Sequence, residues 1–323
     1  MSSLSRLVKA FGALALLALV AAAPVRAETM QPLVSATWLS QHRADPDLVV
    51  LDIRSAIDGG GAEAYAKAHI PGAVHSDYDK GGWRVTRNNI AFMVPTTPEL
   101  EKLIGELGID EDTRVVVVPA GVNVLDFGAA ARTYWTLRYV GLKNVAILDG
   151  GFAAWQAAGL PVETGTRQPS PKIFTATINK SILAQAPDVE AIQHNGGATL
   201  VDARPASFFT GKEKAPASLA YGHIPGALNI DSSEFYDPAT NRLKSAAELT
   251  RVAHEIQSGP TVTYCNTGHW AATDWFVLSE VLHRPNVRLY AGSMVEWTAN
   301  PSHPIESQRT KWDDLKKTLG LGS

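Results

Sequence analysis

The sequence has little cysteine, no long apolar run beyond its first residues and no excess of charge of one sign. A single cysteine, Cys265, excludes an intramolecular disulfide. The 29 basic and 32 acidic side chains give a net charge of −3 without blocks of like charge, which argues against a nucleic-acid partner. After residue 27, no segment is apolar over the roughly 20 residues that a membrane-spanning helix needs. We therefore expect no membrane contact of the mature protein.

Residues 1–27 are typical of a secretory signal peptide. Arg6 and Lys9 precede a short core rich in alanine and leucine, and small residues lead up to Ala27. We predict cleavage there, with the mature protein beginning near Glu28 and the periplasm as its expected compartment. An uncleaved anchor is the alternative.

The remaining chain has the size and composition of two domains. The full chain of 323 residues exceeds the roughly 100–200 of a single domain even without the signal peptide, and 45% of its residues are hydrophobic. The predicted boundaries are 28–162 for an N-terminal domain, 163–180 for a proline-containing linker and 181–310 for a C-terminal domain. We predict a short tail at 311–323.

The two halves of the chain resemble each other. Three motifs recur in the same order, which indicates two copies of one domain. The matching pairs are Leu51-Asp52-Ile53-Arg54 with Val201-Asp202-Ala203-Arg204, His69-Ile70-Pro71-Gly72-Ala73 with His223-Ile224-Pro225-Gly226-Ala227, and Gly150 and Trp155 with Gly292 and Trp297. Short, wholly apolar runs alternate with segments of helical periodicity, which is typical of strands covered on both faces. The sequence therefore predicts two α/β domains, each with a central parallel sheet flanked by helices.

The lone cysteine lies where a predicted strand ends and a predicted helix begins. Ligands of open α/β sheets bind at the carboxyl ends of the strands, and backbone N–H groups at a helix entry converge there. Gly268 provides a position without a side chain, as a tight turn around an anion requires. Such surroundings favour the thiolate over the thiol, whose ordinary pKa is about 8.5. We therefore predict that Cys265 is a nucleophile rather than an inert buried thiol.

Taken together, these motifs resemble those of two-domain rhodanese-type sulfurtransferases, the thiosulfate and 3-mercaptopyruvate sulfurtransferase family. The Asp-x-Arg, His-Ile-Pro-Gly-Ala, Gly-x-x-x-x-Trp and Cys-x-x-Gly-x-x-Ala elements carry the resemblance, which covers nearly the whole mature chain. It implies that only the C-terminal domain is catalytic, because the matching loop of the first copy, residues 119–126, has no cysteine.

The resemblance also implies a reaction. Cys265 would take a sulfane sulfur from a small donor such as thiosulfate, form a persulfide and pass the sulfur to cyanide or a thiol, including a thiol-carrying protein. No metal or organic cofactor is implied. We expect the anionic donor to bind at the loop, and Asp202 and Arg204 to give structural support. The predicted substrate-binding residues are Asn266, Thr267, Gly268, His269 and Trp270.

Some positions depart from the family pattern and leave the donor open. Family members often carry a cation directly after the cysteine, or Gly-Ser or Gly-Ala, whereas this chain has Asn266 and Thr267. Phe208 stands where related enzymes tend to have an arginine. For His269 we expect either a positive charge toward an anion below pH about 6.5 or a solvent-facing side chain. Trp270 is interpreted either as a lid or as part of the core.

Alternative interpretations concern the activity and one loop. A non-catalytic sulfur carrier or redox sensor is the alternative to an enzyme, and 3-mercaptopyruvate is the alternative donor. A phosphatase or arsenate reductase with a Cys-x₅-Arg loop would need arginine at position 271, which is Ala271. Trp83, Arg84 and Arg87 are interpreted as part of a solvated surface loop, with the domain interface as the alternative.

Overall fold

The protein contains two parallel five-stranded sheets, one in each half of the chain. The computed structural model describes residues 30–310, so the predicted signal peptide and the predicted tail at 311–323 lie outside the described residues. Every neighbouring pair of strands in the two large sheets is parallel. The predicted fold class is confirmed.

The first half builds a sheet with the strand order β1-β7-β6-β2-β3. Its elements are β1 (Leu33–Val34), α1 (Ala36–His42), β2 (Leu48–Asp52), α2 (Ala62–Lys67), β3 (Val74–His75), β4 (Val85–Arg87), β5 (Ile90–Met93), α3 (Thr97–Glu106), β6 (Arg114–Val118), α4 (Val124–Tyr139), β7 (Val145–Leu148) and α5 (Gly151–Ala157). The strands β4 and β5 form a separate antiparallel hairpin.

The second half repeats this plan with the strand order β10-β9-β13-β14-β8. Its elements are β8 (Leu183–Ala184), α6 (Ala186–Asn195), β9 (Thr199–Asp202), α7 (Ala206–Phe209), β10 (Leu228–Asn229), β11 (Tyr236–Asp237), β12 (Arg242–Leu243), α8 (Ala246–Val252), β13 (Thr261–Tyr264), α9 (Trp270–Trp275), β14 (Val287–Tyr290) and α10 (Ser293–Trp297). The helix α9 continues as a π-helix over Phe276–Val281. A second hairpin, β11 with β12, corresponds to the hairpin of the first half.

The middle strands of both sheets are short and buried. In β6, four consecutive valines follow Arg114, and all four are fully buried. All four residues of β13 are buried as well. Wholly apolar or β-branched strands of this kind are typical of sheets that have helices on both faces. The loops that follow β6 and β13 therefore start at the middle of each sheet.

The two halves share one hydrophobic core. The largest cluster of buried apolar side chains includes residues of both sheets and of the helices α4 and α9. Phe127 of α4 packs edge-on against Phe276, with ring centroids 5.9 Å apart. Tyr134 of α4 donates a 2.6 Å hydrogen bond to the Glu280 carboxylate. The helices that follow the two central loops thus lie against each other.

The predicted linker, residues 163–180, runs along the first domain and is fixed to it. The Lys172 and Thr177 N–H groups donate to the carbonyls of Gly105 and Val140, and Phe174 is buried in the shared core. This segment is therefore an ordered connection. None of the helices within residues 30–310 has the length and apolar character required to span a bilayer.

Candidate active site

Cys265 begins the loop that follows the central strand β13. Its N–H donates to the Ser293 hydroxyl at 3.0 Å, and its carbonyl accepts from the Met294 N–H at 3.0 Å. The Asn266 carbonyl accepts from the Val295 N–H, also at 3.0 Å. These bonds join the start of the loop to α10 and hold the cysteine at the carboxyl end of the sheet.

The next residues leave their backbone donors free. Within residues 30–310, no carbonyl or side-chain oxygen accepts from the backbone N–H groups of residues 266–270. Gly268 has φ +71°, and a Cβ there would collide with Arg132 and with the Ala291 carbonyl. The loop therefore curves tightly and keeps several unpaired N–H groups beside Cys265. Such a group of donors favours a bound anion.

Asp202 and Arg204 form a buried ion pair next to this loop. The Arg204 Nε and Nη2 atoms lie 2.8 and 2.6 Å from the Asp202 carboxylate oxygens. Nη2 also donates to the Gly222 carbonyl, and Nη1 lies 3.4 Å from the Asn266 amide oxygen. Burial alone would lower the pKa of Arg204, but its bonds and attraction to Asp202 raise it above the usual value. Asp52 and Arg54 make the same pair in the first domain.

The sulfur is shielded from solvent. Cys265 is only 1% exposed, so neighbouring side chains must move before a donor reaches it. Phe208 and the half-buried Trp270 meet edge-on with ring centroids 5.8 Å apart. Trp270 also packs against the shared core, as one of its two predicted interpretations requires.

His269 takes neither of the two expected positions. It is 6% exposed and points to the N-terminal domain, where its Nδ1 shares a 2.9 Å hydrogen bond with the Tyr78 hydroxyl. Burial, followed by repulsion from Arg84, lowers the pKa of His269 to about 3. The expectation that His269 gains a positive charge below pH about 6.5 is wrong, and so is that of a solvent-facing ring, because the domain interface removes this side chain from water. Its predicted role in substrate binding would need to involve the uncharged ring or the backbone.

Several side chains of the N-terminal domain, which the sequence did not identify as site residues, contact the loop that begins at Cys265 or the residues beside it. Arg132 of α4 donates a 2.9 Å hydrogen bond to the Gly268 carbonyl, next to the Tyr78–His269 bond. The Arg84 guanidinium lies 4.2 Å above the Tyr78 ring. Trp83 is buried, so the interpretation of a solvated loop is wrong for Trp83 and Arg84. Trp83 belongs to the hydrophobic cluster that the two domains share, and the largely buried Arg84 side chain stacks on Tyr78, the hydrogen-bond partner of His269.

One signal in the sequence pointed to Arg132. It is a charged residue within a long run of small and apolar residues in α4, nearly all of which are buried. A charge in such a run requires a partner from outside its own helix.

In the equivalent loop of the first domain, a side chain of the same domain binds the backbone N–H groups. The Asp126 carboxylate accepts hydrogen bonds from the N–H groups of Ala120, Gly121 and Val122. Counted from the end of the central strand, Asp126 corresponds to Ala272, which has no such group. Burial raises the pKa of Asp126 to about 6 despite these donors. In the first domain an internal carboxylate thus takes the place that an external anion would take in the second.

The described residues offer little for metal binding. Within residues 30–310, no three His, Cys, Asp or Glu side chains come together as a group that could hold a metal ion. The arrangement around Cys265 is that of a nucleophile beside unpaired backbone amides.

A comparison with known families decides how this arrangement is classified. The sequence model of the rhodanese-like domain matches residues 35–158 and 185–300. The chain belongs to the rhodanese family. Both rhodanese-like domains predicted from the repeats are therefore present, and the predicted family is confirmed.

Similar rhodanese proteins include two bacterial relatives. The 3-mercaptopyruvate sulfurtransferase of Escherichia coli (strain K12) is 32% identical over 281 residues, which are 84% of this chain and 97% of that protein. A putative thiosulfate sulfurtransferase of Synechococcus elongatus is 30% identical over 285 residues, 85% of this chain and 84% of that protein. The crystal structure of SseA from Escherichia coli, described as a 3-mercaptopyruvate sulfotransferase, matches with a TM-score of 0.70 at 30% identity, covering 82% of this chain and 99% of that chain.

Proposed function

We propose that this protein is a sulfurtransferase that uses Cys265 as its nucleophile. The observation that carries the proposal is the set of unpaired N–H groups beside the chain's single sulfur nucleophile. These donors would stabilise a thiolate, a persulfide anion and the charge that develops on a leaving group. The sulfurtransferase relatives of E. coli and Synechococcus agree with this chemistry.

With thiosulfate as donor, the thiolate of Cys265 attacks the outer sulfur. The bond between the two sulfur atoms of thiosulfate breaks, sulfite leaves with the electron pair, and a Cys265 persulfide anion remains. Cyanide or a thiolate then attacks the terminal sulfur, and Cys265 leaves as a thiolate. No external oxidant or reductant is consumed when cyanide is the acceptor.

The alternative donor is 3-mercaptopyruvate, the substrate in the names of several relatives. Here the thiolate attacks the donor sulfur, the carbon–sulfur bond breaks, and pyruvate leaves as its enolate, which takes up the thiol proton. Both donors are anions and would use the same amides. Their relative kcat/KM values, measured with one acceptor, decide between them.

The decisive experiment looks for sulfur on the protein itself. After treatment with either donor, intact-protein and peptide mass spectrometry should find one added sulfur atom on Cys265. Cys265→Ser should fold, because the two side chains have similar size, and should show neither the added sulfur nor activity. Wild-type activity in this variant would refute the proposal. A persulfide without repeated turnover to thiocyanate would instead favour a sulfur carrier or redox sensor.

We further propose that the protein is exported and that residues 1–27 are removed. The Arg6 and Lys9 charges ahead of a short apolar core support this proposal. Intact mass of the protein from a periplasmic fraction should correspond to a chain that begins near Glu28. Recovery of the uncleaved chain in the membrane fraction would contradict it.

A further inference from the structure

We propose that Arg132 of the cysteine-free domain is a positioning residue of the active site, and that its positive charge stabilises the anionic forms of Cys265. This inference deepens the proposed sulfurtransferase function and rests on it. It means that the catalytic centre is incomplete without the N-terminal domain.

Arg132 reaches the catalytic loop from the opposite domain. Its side chain is buried, and Nη1 donates to the Gly268 carbonyl at 2.9 Å. Gly268 is three positions after Cys265, within the group of unpaired N–H donors. Because the C=O and N–H of a trans peptide point in opposite directions, holding the Gly268 carbonyl also fixes the direction of the His269 N–H, which points away from Arg132.

The remaining donors of Arg132 are unused. Its Nε and Nη2 atoms are buried and have no hydrogen-bond partner among residues 30–310. The Trp135 ring lies 5.1 Å from the guanidinium carbon, but a ring face replaces neither a hydrogen bond nor a counter-ion. A buried guanidinium with unpaired N–H groups is costly, and an anion that approaches it removes part of that cost.

The guanidinium keeps its charge in this position. Burial lowers the pKa of Arg132 to about 10, which leaves it protonated at neutral pH. The charged or titratable groups that act on it are Tyr78 and Cys265, which favour the protonated form, and Arg84, which opposes it. Among these groups, Cys265 is the proposed nucleophile.

The neighbouring cations already have carboxylate partners. Arg204 is paired with Asp202 at 2.6 Å, and Arg84 with Asp79 at 3.0 Å. No ion pair of Arg132 is found in the part of the chain that the structure describes. Of these three arginines, Arg132 is therefore the one whose charge is not neutralised. Position 208, where related enzymes tend to have an arginine, is a phenylalanine that contacts Trp270. It therefore adds no positive charge from the C-terminal domain.

The test separates the charge of Arg132 from its hydrogen bond. Arg132→Gln can still donate to the Gly268 carbonyl but is neutral, whereas Arg132→Lys donates and remains charged. The rate of Cys265 alkylation by iodoacetamide is measured against pH, which requires no turnover. For Arg132→Gln we expect the pH of half-maximal rate to rise by about one unit, and kcat/KM for thiosulfate to fall about tenfold. Arg132→Lys should stay near the wild type in the alkylation profile.

Arg242→Met is the matched control. Arg242 also carries a positive charge across the interface, but it lies 3.6 Å from Asp149 beside the loop of the first domain. Its removal should leave the alkylation profile unchanged. Thermal unfolding checks that each variant is folded, and Arg132→Met replaces the glutamine variant if that one fails to fold.

An unchanged alkylation profile in a folded, neutral Arg132 variant would overturn the inference. The inference also fails if the Gln and Lys variants lose activity equally without a change in this profile, since the role would then be structural only. If the wild type transfers no sulfur from any donor, the proposed function fails, yet the alkylation experiment still decides whether Arg132 acts on Cys265.

Discussion

At the scale of single residues, His269 shows how burial determines chemistry. Its ring lies between Tyr78 and the Cα of Gly128, and neither neighbour offers a negative charge. Protonation would place a cation in a region that already contains Arg84 and Arg132. The neutral ring therefore acts as a connection between the domains, while positive charge near Cys265 comes from the arginines.

The low pKa of His269 makes folding sensitive to acid. The unfolded chain binds a proton near the ordinary histidine pKa of 6.5, but the folded protein does so only near 3. The contribution to stability is complete above pH 6.5 and decreases as the pH falls toward 3. Between pH 7 and pH 4.5, the wild type should lose about 2–3 kcal/mol more unfolding free energy than His269→Asn, which keeps a polar partner for Tyr78.

Urea unfolding at both pH values measures this difference. The two proteins differ only at position 269, so the contributions of the other groups cancel in the comparison. Identical pH dependence of the two proteins would mean that His269 is protonated in the folded state as readily as in the unfolded chain.

At the scale of elements, the strand–loop–helix units built on β6 and β13 have the same fold but differ in what binds the N–H groups of their loops. The loop after β6 is closed by Asp126, and the Asn123 side chain caps α4 by accepting from the Asp126 N–H. The loop after β13 has no side-chain cap at the start of α9, and the N–H groups of residues 266–270 find no oxygen acceptor in the part of the chain that the structure describes. Within residues 30–310, the absence of an internal acceptor in the second loop, together with its cysteine, distinguishes the unit that we propose to be catalytic from its counterpart in the first domain.

The contribution of Asp126 to the unfolding free energy should change with pH in the direction opposite to that of His269. Its folded pKa of about 6 lies above the ordinary value of 3.8, so the folded protein binds the proton more tightly than the unfolded chain. The associated stability is complete below pH 3.8 and is lost as the pH rises through 6. Relative to Asp126→Asn, the wild type should lose up to about 3 kcal/mol of unfolding free energy between pH 4 and pH 7.

The measurement is again chemical unfolding of both proteins across this pH range. His269 is present in both chains, so its opposite dependence cancels. A constant difference between wild type and Asp126→Asn would show that the carboxylate titrates normally inside the loop.

The units themselves were predictable from the sequence, but the contacts between them were not. The repeated motifs and the position of Cys265 after an apolar strand are local patterns, and they determine the sheet and the loop. The Arg132–Gly268 bond joins residues 136 positions apart, and the Tyr78–His269 bond joins residues 191 apart. Such pairs form only when the two domains pack, so they cannot be predicted from the spacing of residues along the chain.

At the scale of the whole molecule, the two domains behave as one packed body around α4 and α9. Their interface contains the Phe127–Phe276 contact, the Tyr134–Glu280 hydrogen bond and the bonds to the catalytic loop. Gly128 of α4 permits the closest approach, since a Cβ at this position would lie 2.8 Å from the His269 Nε2 atom. The packing of one helix therefore determines how the loop of the other domain is held.

Gly128→Ala tests this dependence because two effects oppose each other. Alanine is better than glycine within a helix by about 1 kcal/mol, but its methyl group would collide with the His269 ring, which is held by Tyr78. We expect the collision to dominate, with a net destabilisation of about 1–2 kcal/mol and lower kcat/KM, because overpacked interfaces shift their neighbours.

In a His269→Ala background the collision is absent, and the same substitution should stabilise the protein by about 1 kcal/mol. Unfolding free energies of the four proteins give the coupling between the two positions. If Gly128→Ala is equally stabilising in both backgrounds, α4 does not constrain the catalytic loop through His269.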